Sequence, residues 1–184
     1  RPGTPRPQPI ALATLVREAV AAHQAAADDK KVRLTCAEAP ADVLVCGDAA
    51  QWRTALVNVL RNALEAAPPD GWVRMRCDGD GADWVEIHVE DSGPGPAAAV
   101  RDHLFDPFFS GRHAGRGRGL GLSTAWRLAR QNGGDVRFAG ANHEATRFVL
   151  RLPIERPAVV LPGGNGNGHA PDLVKRSGPH ALAS

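Results

Sequence analysis

From Ile10 to about Asp28, Leu12, Leu15, Val16, Ala19 and Val20 recur at the spacing of one helical face, which predicts an amphipathic helix. Val32 to Cys36 and Val43 to Cys46 are short and rich in β-branched residues, and predict two strands. Asp48 is placed to cap a helix running to about Ala67, stopped by Pro68-Pro69-Asp70-Gly71. Trp72 to Asp78 and Trp84 to Glu90 alternate apolar and polar residues around Asp78-Gly79-Asp80-Gly81, the pattern of a hairpin. Pro94 to Gly117 lacks regular periodicity apart from a short helix near Ala97 to His103. A helix follows from about Leu120 to Gln131, ended by Asn132-Gly133-Gly134, and strands are expected over Asp135 to Ala139 and Thr146 to Leu152.

Strands interleaved with three long helices predict an α+β fold: a two-layer α/β sandwich with a mixed, mostly antiparallel sheet and helices on one face. Four prolines make Arg1 to Pro9 a linker, residues 10 to 153 the ordered domain, and the Gly/Pro-rich segment 154 to 184 a flexible tail. A net charge of +2 with scattered basic residues argues against nucleic acid. Cys36, Cys46 and Cys77 make no Cys-x-x-Cys pair and read as free core thiols in a reducing compartment. No apolar run reaches the ~20 residues of a membrane span, so no direct membrane contact is expected. The first residue is Arg1, so the chain reads as a piece of a longer protein whose anchoring in a membrane stays open.

Four patterns carry chemistry. In the 49–67 helix, Trp52, Leu56, Leu60 and Ala63 form an apolar stripe, while Asn58 and Asn62 stack one turn apart on the other side. Amide oxygens there suit a Mg²⁺ that already receives phosphate oxygens; a solvated polar face is the plain alternative. Asp91-Ser92-Gly93-Pro94-Gly95 follows a strand, where a carboxylate can accept from an adenine amino group and glycines admit a flat base, or simply make a capped turn. Gly117-Arg118-Gly119-Leu120-Gly121-Leu122-Ser123 precedes a helix and offers backbone N–H groups to phosphate, without the ending of a Walker A loop. Phe105, Pro107, Phe108 and Phe109 suit either a lid anchor or, as the preferred reading of the phenylalanines, core. Arg112, Arg116 and Arg118 at the tip could neutralise phosphate.

Taken in order, the series resembles the catalytic, ATP-binding domain of sensor histidine kinases, in the superfamily of gyrase-type topoisomerases, a heat-shock chaperone and mismatch-repair ATPases. Asn58 to Ala63 looks like the N box, Asp91 to Gly95 the G1 box, Phe105 to Phe109 the F box and Gly117 to Leu122 the G2 box, with Thr146 and Phe148 closing the series. The resemblance implies Mg²⁺ and ATP as cofactors, with Asn62 the metal ligand and Asn58 beside it as the catalytic pair. It implies that Asp91 binds the adenine amino group, with Thr146 helping through water. Gly93 and Gly95 would shape the adenine pocket, and Gly117, Gly119, Leu120, Gly121 and Leu122 would border the triphosphate. Arg112 matches a lysine of the nitrogen-regulation-like subgroup and is the candidate phosphate contact.

Three departures stand out. Glu65 occupies the place of a lysine common in the family, Glu144-Ala145 replaces small glycines before Thr146, and the lid is short. The superfamily's ATPases carry a glutamate base where this chain has Asn58, which favours transfer to an imidazole. None of the seven histidines qualifies well as the phosphoacceptor: His23, on the first helix, is followed by Gln24-Ala25, and the others fall in the lid region, on a strand, in a loop or in the tail. The expectation is a monomeric, cytoplasmic kinase domain. It would act on a histidine of a dimerisation domain outside this segment, with a response regulator reached through the parent. A superfamily ATP hydrolase and a degenerate nucleotide-binding interaction module are the alternatives.

Overall fold

The computed structural model describes residues 6–79, 83–109, 119–141 and 145–155. Seven strands and four helices follow one another as β1 (Gln8–Ala11), α1 (Leu12–Ala21), α2 (Gln24–Asp29), β2 (Arg33–Cys36), β3 (Leu44–Gly47), α3 (Ala49–Ala66), β4 (Trp72–Gly79), β5 (Trp84–Asp91), α4 (Gly121–Gln131), β6 (Asp135–Ala141) and β7 (Thr146–Pro153), with a 3-10 turn at Ala98–His103 after β5. The main sheet has the order β2-β4-β5-β7-β6. Its β2–β4 pair is parallel and the rest are antiparallel, so the sheet is mixed and mostly antiparallel as expected.

Alternation on β5 explains the layering. Val85, Ile87, Val89 and Asp91 point to the helices, while Glu86, His88 and Glu90 point to the other side. α3 lays Trp52, Leu56, Val59, Leu60 and Ala63 on the inner face, all of them fully buried. Asp48 caps this helix as predicted, its Oδ1 accepting from the N–H groups of Ala50 (3.0 Å) and Gln51 (3.1 Å). At the other end the Lys30 ammonium donates to the carbonyls of Leu64 (2.6 Å), Glu65 (2.9 Å) and Ala67 (2.7 Å). A cation on the last carbonyls suits the negative end of the helix dipole.

Several expectations need correction. The linker boundary at Pro9 moves, because Gln8 and Pro9 already pair with Gly47 and Cys46 in a separate two-stranded sheet. Proline is tolerated in so short an edge strand. At the other end, Ile154 bridges to Val45 and the Glu155 N–H donates to Leu44, so pairing runs past Pro153. The single helix expected over 10–28 is two helices, broken at Ala22-His23. His23 Nδ1 lies 2.9 Å from the Ala19 carbonyl, a local bond that competes with continuing the helix. Of the three thiols expected in the core, Cys36 is exposed and Cys46 and Cys77 are half-buried. Burial, then proximity to Cys36, pushes the Cys77 thiol up to about 12. The described chain has no helix long and apolar enough to cross a membrane. The tail beyond Glu155 lies outside the described residues.

Candidate functional site

β-Sheet register builds one end of the site. Asp91 is the last residue of β5 and pairs directly with Thr146, the first of β7, which in turn pairs with Ala141 of β6. Asp91 is 0% exposed; its Oδ1 accepts from the Gly93 N–H at 2.8 Å. The buried Thr146 hydroxyl donates to the Gly93 carbonyl at 3.1 Å. The 91–95 turn is thereby held from both sides. Two glycines are obligatory in it. A methyl on Gly93 would stand 2.7 Å from both the Ala66 carbonyl oxygen and Asp91 Oδ1. One on Gly95, at φ +72°, would stand 2.6 Å from Ala141 Cβ and 2.8 Å from Thr146 Oγ1.

A cavity of about 650 Å³ opens from this turn. Asp91 and Thr146, both buried, lie at its closed end beside the half-buried Gly95. Val100, Leu104, Phe109 and Phe148 line an apolar wall. α3 supplies Asn58, Arg61, Asn62 and Glu65, and the start of α4 supplies Gly119, Leu120, Gly121 and Leu122. A mainly apolar pocket with a few converging polar groups is the usual form of a small-molecule site.

Asparagine orientation follows from its partners. Asn58 Nδ2 donates to the Thr54 carbonyl at 2.9 Å, so its amide oxygen is the atom turned elsewhere. That oxygen lies 3.6 Å from where a Cβ on Gly121 would sit, at the N-terminus of α4. A neutral oxygen ligand beside the N–H groups at the start of α4 is an arrangement that fits a magnesium ion on the amide oxygen and phosphates on the helix terminus. Gly119, at φ +64°, lets the chain pass close to Phe108 and Phe109 before α4 begins.

The structure thus brings together Asn58, Asn62, Asp91, Gly95, Gly119, Leu120, Gly121, Leu122 and Thr146 around one cavity, with Gly93 in the supporting turn. Arg112 and Gly117, with Arg116, Arg118 and Glu144, lie outside the described residues. The phenylalanine cluster divides. Phe105 packs on the core, Phe109 lines the cavity, and Phe108, expected in the core, is 78% exposed at φ +66°.

One supporting residue was read in the sequence merely as a helix stop. Asn132 Oδ1 accepts from the Asp48 N–H at 2.7 Å, while its Nδ2 donates to Gln51 Oε1 at 2.9 Å and to the Leu128 carbonyl at 2.8 Å. This amide ties the end of α4 to the start of α3, the two antiparallel helices that meet again at Gly121 and Asn58. Its signal in the sequence, an asparagine before two glycines, is indistinguishable from that of an ordinary helix end.

The family model described as histidine kinase-, DNA gyrase B-, and HSP90-like ATPase matches residues 47–156, more than half of the chain. The two-component sensor PprA of Pseudomonas aeruginosa is 33% identical over 135 residues, covering 69% of this chain and 14% of PprA. The mycobacterial sensor histidine kinase MprB superposes with a TM-score of 0.66 at 25% identity, over 80% of this chain and 97% of that one. Full-length ShkA, solved in complex with AMPPNP, gives a TM-score of 0.70 at 25% identity, over 84% of this chain and 32% of ShkA. The chain spans about a third or less of the length of the curated relatives it matches. With the sheet order, the cavity and these likenesses in agreement, the chain belongs to the histidine kinase-, DNA gyrase B- and HSP90-like ATPase family of ATP-binding domains, on its sensor histidine kinase branch.

Proposed function

We propose that this domain binds Mg-ATP in the 650 Å³ cavity and donates the γ-phosphoryl group to a histidine on a helical dimerisation domain of the parent protein. The observation that carries the reading is the polarity of the cavity. A buried carboxylate, Asp91, closes one end, while amide oxygens and a helix N-terminus border the other. A purine amino group is a donor suited to Asp91 and an acceptor-rich triphosphate is suited to the start of α4. The complex of ShkA with AMPPNP supports the same class of ligand.

The roles follow from the chemistry of each group. Asp91 accepts from the adenine amino group, and Thr146, whose hydrogen is committed to Gly93, offers its oxygen to a bridging water. Asn62 would hold magnesium through its amide oxygen, with Asn58 alongside, and the ion would supply charge neutralisation on the phosphate oxygens. Backbone N–H groups at Gly119 to Leu122 orient the phosphates, and Arg112 and Gly117 join them in this reading. The accepting imidazole nitrogen attacks phosphorus in line with the departing ADP oxygen, and a neutral imidazole needs no strong base. Asn58 cannot take a proton from water, which weighs against an ATP hydrolase. The response regulator partner follows from the same reading.

Asp91→Asn leaves one oxygen for the Gly93 N–H and turns an NH2 donor toward the adenine amino group, and is expected to abolish binding of a non-hydrolysable ATP analogue in calorimetric titration, with the melting temperature recorded alongside. Unchanged affinity refutes the adenine role. Mixing the wild-type chain with the parent's helical domain and labelled ATP should give acid-labile, base-stable phosphate. Steady release of free phosphate instead would point to hydrolysis.

A further inference from the structure

The face that α3 turns to the cavity carries charge as well as amides. Asn58, Arg61, Asn62 and Glu65 all line it, as their three- and four-residue spacing on a helix requires. Arg61 and Glu65 are exposed and stand at the mouth, whereas Asp91 is at the closed end. Among the described residues that line the cavity, one guanidinium, Arg61, faces two carboxylates, Asp91 and Glu65. That wall is therefore not positive, although the ligand of the proposed function carries a triphosphate. A carboxylate near phosphate oxygens repels them, and the sign reverses when a divalent cation lies between the two.

The base of Glu65 is also fixed in place. Its carbonyl, with those of Leu64 and Ala67, is gripped by the Lys30 ammonium, so the last turn of α3 holds the carboxylate over the cavity instead of fraying. Asn62 and Glu65, three residues apart on one helix face, pair an amide oxygen with a carboxylate. Such hard oxygen donors suit magnesium, directly or through its retained waters.

We infer that Glu65 makes nucleotide binding conditional on a divalent cation: it repels the bare triphosphate and, beside Asn62, helps hold the metal that accompanies it. This rests on the ATP reading of the cavity given above. The residue determines which form of the nucleotide the site accepts, the metal complex and not the free anion. By linkage, the nucleotide must tighten magnesium by the same factor that magnesium tightens the nucleotide.

The test is titration of the full 184-residue chain with AMPPNP, once in excess EDTA and once in saturating magnesium, for wild type, Glu65→Gln and Glu65→Lys. Glu65 is exposed, so the melting temperatures of both variants should stay within a few degrees. Glu65→Gln is expected to tighten metal-free binding about 3- to 10-fold, the scale of one screened charge pair. It should also raise the magnesium concentration for half-maximal binding several-fold. Glu65→Lys should go further and bind nearly independently of the metal. If Glu65→Gln leaves both affinities unchanged, or shifts both by the same factor, the role of Glu65 is wrong while the ATP reading stands. If the wild-type chain binds AMPPNP under neither condition, both fall together.

Discussion

Asn132→Ala removes a side chain that bonds the end of α4 to the start of α3. Two bonds between elements go with it, the 2.7 Å bond from the Asp48 N–H and the 2.9 Å bond to Gln51 Oε1. A typical intramolecular hydrogen bond contributes ~0.5–1.5 kcal/mol net, and orphaning a shielded backbone donor costs about 1–3 kcal/mol. The Asp48 N–H is part-buried, so the expected loss is about 2–4 kcal/mol, a large share of the ~5–15 kcal/mol that holds a domain folded. With a urea m-value of roughly 2 kcal/mol/M, the middle of the usual range, the midpoint should drop by about 1–2 M at unchanged slope. Trp52 reports the event directly, since it packs at this corner, its indole N–H donating to the Cys46 carbonyl at 3.1 Å. A Gln51→Ala partner completes a double-mutant cycle, whose coupling should be about 0.5–1.5 kcal/mol. A midpoint shift smaller than ~0.2 M, or full additivity with Gln51→Ala, refutes the idea that this amide joins the helices.

Further outcomes follow from the site and from the outer sheet face. Gly95→Ala places a methyl 2.6 Å from Ala141 Cβ at a backbone φ of +72°. It should cost about 2–4 kcal/mol in denaturant unfolding and weaken AMPPNP binding; retained stability would show that the turn has room. His88 is 9% exposed, and burial first, then Arg76, holds its imidazole below the usual histidine range. The unfolded chain therefore takes up the proton first, and stability should fall as pH drops through and below 6.5. His88→Gln should flatten that slope in urea midpoints measured across the window, and parallel curves for the two proteins would exclude His88 as its source.

What could be read from the sequence was what depends on local chemistry. Asp48 as a cap, the hairpin of β4 and β5, and the glycine stop after Gln131 are each set by residues within a turn of one another. The candidate site was legible for the same reason: spacing along α3 puts Asn58 and Asn62 on one face wherever the helix docks. Phe108 and Cys36 escaped because burial depends on which neighbours arrive, and neither residue type announces its exposure. The break at His23 turned on one imidazole bonding a carbonyl a turn back, invisible to periodicity. The partners of Asn132 sit 81 and 84 positions away, beyond any local pattern.

β3 has four residues and two different neighbours across its edges. Val45 is in register with Ile10 on one side and bridges to Ile154 on the other, so β1 and the residue just past β7 flank the same short ribbon. Through Gly47 it runs straight into the cap of α3, and the Arg6 N–H also reaches the Asp48 carboxylate at 3.1 Å. A tug on either flanking segment is therefore loaded onto one strut. From there it passes along the helical rod that carries both asparagines.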